Sequence, residues 1–186
     1  MNCFTLQYDM KKYERTGIMA YHNELWGTDM YDVTRGNYID NWDERVTFNF
    51  TTDNGYEITD YICNDFGWPI VSNKFKMALE SVGISGIQYL PLIIVNKDTG
   101  ITLERYYVAN IYNLVEAVDM KKSEYFELIP GKYCFVSFAV KEDKIKNFDI
   151  FRLKENDVNI FVSEKFQKVI KSNKLTGFDF TKITVV

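Results

Sequence analysis

The chain has 186 residues, 46% of them hydrophobic, which is enough for a sizeable core and excludes global disorder. Its net charge of −4 is uneven: residues 1–65 hold 12 Asp and Glu against 5 Lys and Arg, and the remainder 14 against 17. A pI near 5.1 argues against nucleic acid as a partner, whereas the acidic N-terminal part would draw in a basic partner by long-range attraction.

The opening MNCFTLQYDMKK lacks a basic stretch followed by an apolar one, so no signal peptide is expected. The longest apolar runs, Tyr89–Val95 and Tyr133–Val140, fall short of the roughly 20 residues a membrane helix needs. Cys3, Cys63 and Cys134 form no close pair and read as reduced thiols. These features together place the chain in the cytoplasm, away from membranes.

Phe4–Tyr8 reads as a short strand. Tyr21–Asp43 is rich in Tyr, Trp, Asp, Asn and Gly without a clean period, which predicts irregular structure. Val46–Phe50 alternates as a strand does and stops at the turn signal Asn54-Gly55. Ser72 is placed to cap a helix over Asn73–Val82, whose Phe75, Ala78, Leu79 and Val82 make one apolar face, with Gly83 as its stop. A strand through Ile87, Tyr89 and Leu92–Val95 follows, then a turn at Asn96–Gly100 and a returning strand over Thr102–Val108. Tyr112–Val118 fits a helix or a loop. Tyr133–Val140 and Phe148–Leu153 read as further strands.

The segment VSNKFKMALESVGISGIQY, Val71–Tyr89, returns 91 residues later as VSEKFQKVIKSNKLTGFDF, Val162–Phe180, without a gap. Six of the nineteen positions are identical: Val71, Ser72, Lys74, Phe75, Ser81 and Gly86. The shared residues are caps, core positions and glycines, so the doubling describes architecture and not chemistry. The reading is one α+β domain over residues 1–186 with a mixed or largely antiparallel sheet. Two similar helix–turn–strand units, Val71–Tyr89 and Val162–Phe180, lie on one shared sheet or on a sheet each. Residues 1–65 form an irregular acidic part, and residues 66–186 carry the doubled segment.

Few residues point to catalysis. His22 is the single histidine, and no nucleophile motif accompanies it. Neither GxxxxGK[ST] nor GxGxxG occurs, and Gly83-Ile-Ser-Gly86 follows a helix instead of opening one. Asp29, Asp32, Asp40, Asp43, Glu44, Asp53, Glu57, Asp60 and Asp65 could supply a hydrolase acid/base pair or an oxygen-ligand metal site. Their spacing selects neither, and no cofactor is expected. The lysines near 121–122 and 141–146 are mixed with acids, as on a solvated face.

Pro69-Ile-Val-Ser-Asn-Lys-Phe75, Tyr106-Tyr-Val-Ala-Asn-Ile-Tyr-Asn113, Glu116-Ala-Val-Asp119, Ile150-Phe-Arg-Leu153, Ile160-Phe-Val-Ser-Glu-Lys-Phe166 and Leu175-Thr-Gly177 share order and spacing with a known family. Over Pro69–Phe180 the chain resembles bacterial immunity proteins of polymorphic toxin systems, formerly catalogued as a domain of unknown function. The resemblance implies a non-enzymatic protein made beside a toxin gene, which binds and blocks its cognate toxin in the cytoplasm. It carries over no site residues.

The surface expected to meet that toxin is the acidic, aromatic Tyr21–Glu44. Trp26, Tyr31, Tyr38 and Trp42 would anchor the contact, and Asp29, Asp32, Asp43 and Glu44 would steer a basic partner. Two other classes stay open at this stage. A carboxylate-dependent hydrolase requires a deep pocket lined by two acids of the N-terminal third. A self-associating structural protein would use the doubled segment as its dimer face.

Overall fold

The structure, a computed structural model, describes residues 1–53 and 55–186. The first half contains β1 (Cys3–Tyr8), α1 (Met10–Arg15), β2 (Met19–Glu24), β3 (Thr47–Phe50), β4 (Tyr61–Asn64), β5 (Ile70–Ser72), α2 (Asn73–Glu80), β6 (Ile87–Pro91) and β7 (Ile93–Asn96). The second half contains β8 (Thr102–Leu103), β9 (Tyr106–Ile111), β10 (Leu114–Val115), β11 (Glu124–Ile129), β12 (Lys132–Ser137), β13 (Ala139–Val140), α3 (Glu142–Ile145), β14 (Ile150–Leu153), β15 (Asn156–Ser163), α4 (Glu164–Ser172) and β16 (Phe178–Val185). No helix among the described residues is long and apolar enough to cross a membrane.

The chain is mostly β, 43% strand and 16% helix, so the expected α+β class is met only loosely. The expectation of a mixed sheet holds. An eight-stranded sheet runs β6-β9-β5-β4-β2-β3-β7-β8, a six-stranded sheet runs β10-β14-β15-β1-β16-β13, and β11-β12 is a separate hairpin. Most pairs are antiparallel; β2–β4, β3–β7, β10–β14 and β13–β16 are parallel.

Both larger sheets curl into half-barrels, and the connections explain why. β6 and β7 stand at the first and seventh places of their sheet, yet only Leu92 separates them in the chain. One residue cannot cross a flat sheet, so the sheet bends until its ends meet. Ile62, Trp68, Ile70, Phe48, Ile94 and Val108 fill the interior of that curl. In the six-stranded sheet the chain leaving β10 reaches Val118, which bridges Val140 of β13 and draws the two edges together. Phe151, Phe161, Leu153 and Cys3 fill this second interior.

The other faces of the two sheets meet in a third cluster. It contains Tyr61, Val71 and Ile111 from the first sheet, Leu6, Ile150 and Val162 from the second, and the apolar faces of α2 and α4. Each helix therefore lies on its own sheet, and the two share one core.

The doubled segments fold alike. Ser72 and Ser163 cap their helices by accepting from the amides of Phe75 and Phe166. Each serine also donates to a carboxylate, Asp60 at 2.7 Å and Asp149 at 2.6 Å. Strand registers agree as well: Val71 pairs with Tyr61 and Tyr107, and Val162 pairs with Ile150 and Phe4. The first strand of the chain thus occupies beside β15 the place that β9 occupies beside β5. Phe75 and Phe166 meet edge to face, with ring centroids 6.0 Å apart.

The helices also end alike. Gly83 adopts φ +71°, and Lys174, its counterpart, adopts φ +51°. The glycine stop of α2 is therefore reproduced by a lysine held in the left-handed region.

Some expected elements differ. The predicted strand through Ile87–Val95 is two strands, broken at Leu92 where the barrel edge turns. The predicted strand over Thr102–Val108 is broken before Tyr106, with Arg105 at φ +61°. Tyr112–Val118 holds the short strand β10. The acidic third is more regular than expected, since β1 to β4 all lie within it. Of the predicted Asn54-Gly55 turn, Asn54 lies outside the described residues.

Candidate functional site

After β2 the chain leaves the sheet at Leu25 and returns at β3. This loop contains one 3-10 turn, Asp32–Thr34, and the inward-facing Val33. It is fixed by side chains from the strands and from the β4–β5 connection that bond to its backbone. Trp68 Nε1 donates to the Met30 carbonyl at 2.9 Å. Arg152 donates to the Val33 carbonyl at 3.3 Å. Asn110 Nδ2 donates to the Asn37 carbonyl at 2.8 Å. Gln88 donates to the Ile39 carbonyl at 2.7 Å and accepts from the Ile39 amide at 3.0 Å. Trp68, Asn110 and Arg152 are almost fully buried, so these bonds are shielded from water.

Arg152 is the unusual member. Its guanidinium also donates to the carbonyls of Asp157 and Val158, both at 2.7 Å. Among the described residues no carboxylate pairs with it. Burial pulls its pKa down to about 10, and it remains charged at neutral pH. It joins the acidic loop to the start of β15.

With its backbone held from below, the loop turns most of its side chains outward. Trp26 is 49% exposed, and its backbone adopts φ +51°, an uncommon conformation for a bulky residue. The Arg45 guanidinium lies 4.3 Å from the Trp26 ring centroid. Asp43 fixes Arg45 in turn, accepting from Nε at 2.9 Å and from a terminal nitrogen at 2.6 Å. These bonds lower the Asp43 carboxyl to about 2.

The remaining candidates divide by role. Tyr31 and Tyr38 are 57% and 60% exposed, and Tyr38 meets Tyr112 edge to face. Asp29 and Asp32 share Arg35, at 3.3 and 3.2 Å. Glu44 is exposed. Trp42 is only half exposed: its Nε1 donates to the Pro91 carbonyl at 2.7 Å and its ring packs on Trp68. It holds the loop to the edge of the barrel.

The sequence reading missed Arg35, Arg45, Trp68, Gln88, Asn110 and Arg152. The arginines of the loop stand two to six residues from their carboxylates, a spacing that could have suggested local pairs. The four clamping side chains are distant in sequence and carry no such signal.

Three other carboxylates of the N-terminal third each have their own partners. Asp65 bonds His22 Nδ1 at 2.6 Å, and that ring stacks on Phe66. Glu57 binds Lys12 and Thr16. Asp60 accepts from Ser72 and Thr176. An open cleft of about 160 Å³ beside β2 and β3 is lined by Tyr21, Asn49, Phe50, Thr51 and Lys97. Among the described residues no group of three His, Cys, Asp or Glu is placed to hold a metal ion. The cysteines are free, and burial pushes the Cys3 thiol up to about 12.

The model of the immunity protein family Imm11 matches residues 2–185. The chain belongs to this family. No curated protein matches it. The Imm11 match is wider than the resemblance over Pro69–Phe180, because it takes in β1 and the acidic loop. In this Imm11 protein the loop and the platform beneath it are therefore parts of one family fold. Its acidic loop exposes Trp26, held against Arg45, and separately Tyr31 and Tyr38.

Proposed function

We propose that this protein is the cytoplasmic immunity component of a polymorphic toxin system, a non-enzymatic inhibitor that binds its cognate toxin on the acidic, aromatic loop. The doubled helix–turn–strand segment acts as an internal repeat that builds the platform, and the chain works as one domain. The observation that carries this reading is the loop's pre-organisation. Its backbone is clamped by buried donors, so binding has little backbone entropy left to overcome. Its exposed Trp26, Tyr31 and Tyr38 are the residue types that dominate binding energy at interfaces. Between Tyr21 and Arg45 there are six acids against two arginines, which favours a basic partner and speeds its encounter. Glu24, Asp40 and Glu44 bear most of that steering, since Arg35 offsets one charge of Asp29 and Asp32 and Arg45 offsets Asp43.

The test is affinity for the toxin encoded beside this gene. Trp26→Ala should raise Kd roughly tenfold or more, as for an anchor residue. Asp43→Lys should reduce the association rate and release Arg45 from its ring. Unchanged binding in both variants would place the interface elsewhere on the protein.

A further inference from the structure

The likeness of the two halves extends to a strand whose sequence does not show it. Four strands of the first sheet, β6-β9-β5-β4, and four of the second, β16-β1-β15-β14, stand in the same spatial order. Their registers agree. Tyr107 lies opposite Val71 and Ala109 opposite Tyr89, as Phe4 lies opposite Val162 and Leu6 opposite Phe180. Leu6 and Ala109 both face the central cluster. The residue that follows each strand bonds to the matching glycine: the Tyr112 amide donates to the Gly86 carbonyl at 3.2 Å, and the Asp9 amide to the Gly177 carbonyl at 3.0 Å. β1 and β9 are therefore equivalent, although no position of Cys3–Tyr8 is identical to its counterpart in Tyr106–Ile111.

In chain order the equivalent elements of the two halves read β1, β4, β5, α2, β6 and β9, β14, β15, α4, β16. Each half opens on an equivalent strand, but that strand lies in the other half's sheet: β1 between β15 and β16, and β9 between β5 and β6. We propose that the chain is a tandem duplication whose halves have exchanged their leading strands, and that the exchange is a lock, so that neither half-barrel opens without the other. Drawing the halves apart withdraws a central strand from both sheets at once and leaves unpaired edges in each. Packing through a shared core alone has no such consequence, since a half that keeps all its strands can stand while its neighbour opens. The lock also reaches the acidic loop. The loop belongs to the first half, yet two of its clamps, Asn110 on β9 and Arg152 on β14, belong to the second.

The experiment places a recognition site for a sequence-specific protease between the exposed Glu104 and Arg105 of the full chain, which is cut after folding. The cut falls between β8 and β9 and so divides the halves. The two fragments should stay together, and dilution or heating should part and unfold them in one step, with a midpoint that rises with protein concentration. Fragments that part and keep their β-sheet circular dichroism would overturn the lock. Amide exchange of the uncut chain is the second measurement and does not depend on the inserted site. Ile62→Val alters the interior of the first half-barrel, and Phe161→Leu that of the second. Each should speed the slowest amides of both sheets by the same factor, roughly two- to tenfold. Acceleration confined to the sheet that carries the substitution would show that the halves open independently, against the proposal.

Discussion

Four side chains, Trp68 between β4 and β5 and Gln88, Asn110 and Arg152 on strands, hold a loop to which none of them belongs. Because they bond to backbone atoms, the loop keeps its course whatever its outward side chains are. That division suits a surface whose contacts must match one partner. Arg152→Met should retain the fold while leaving the carbonyls of Val33, Asp157 and Val158 short of a donor. The expected cost is about 1–3 kcal/mol, with faster amide exchange confined to residues 30–39 and 156–159. Uniformly faster exchange would show that Arg152 supports the whole core instead. The Asp43–Arg45 pair makes a second prediction. The folded carboxyl lies below its usual 3.8, so the pair's contribution is fully present above that value and is lost only as pH falls through about 2. Arg45→Ala should return Asp43 to the ordinary carboxylate range in an NMR titration, and should free the Trp26 ring. Little of this was legible in the sequence. Arg35 and Arg45 carry no motif there, and a buried arginine satisfied by carbonyls leaves no pattern at all.

At the scale of elements, the sequence was most informative where period and caps agree. Ser72 and Ser163 were expected as caps, and both helices begin where expected. The structure adds Asp60 and Asp149, each holding its serine. Ser163→Ala should therefore cost about 1–2 kcal/mol, near the upper range for a lost cap, read as a shift in urea midpoint. The helix ends permit a sharper test. Lys174 occupies the left-handed conformation that Gly83 occupies in the first unit, so Lys174→Gly should stabilise the protein by about 1 kcal/mol. Gly177 is constrained in the opposite sense: at φ +88° an added Cβ would lie 2.5 Å from the Tyr61 carbonyl oxygen. Gly177→Ala should cost about 3 kcal/mol, and a smaller loss than that of Gly83→Ala, where the space is open, would contradict the packing described. The sequence failed at β6–β7 for a physical reason. An unbroken apolar run looks like one strand, and only the curl of the sheet requires it to break at Leu92.

At the scale of the whole molecule, two half-barrels share a central cluster through α2 and α4, and the chain's first strand completes the second unit. The doubling was readable because its core positions repeat at one offset, whereas the mostly-β character was not. The exposed strand β11 and the partly polar β2 lack the alternation that marks a half-buried strand. Arg152 ties the acidic loop to the start of β15. The most direct measurement of the proposed function is growth of cells expressing the toxin it implies, with and without this protein. Our account predicts that the unaltered chain restores growth and that a Trp26→Ala, Tyr31→Ala, Tyr38→Ala variant of unchanged thermal midpoint does not. Restoration of growth by the variant to the full extent would contradict it.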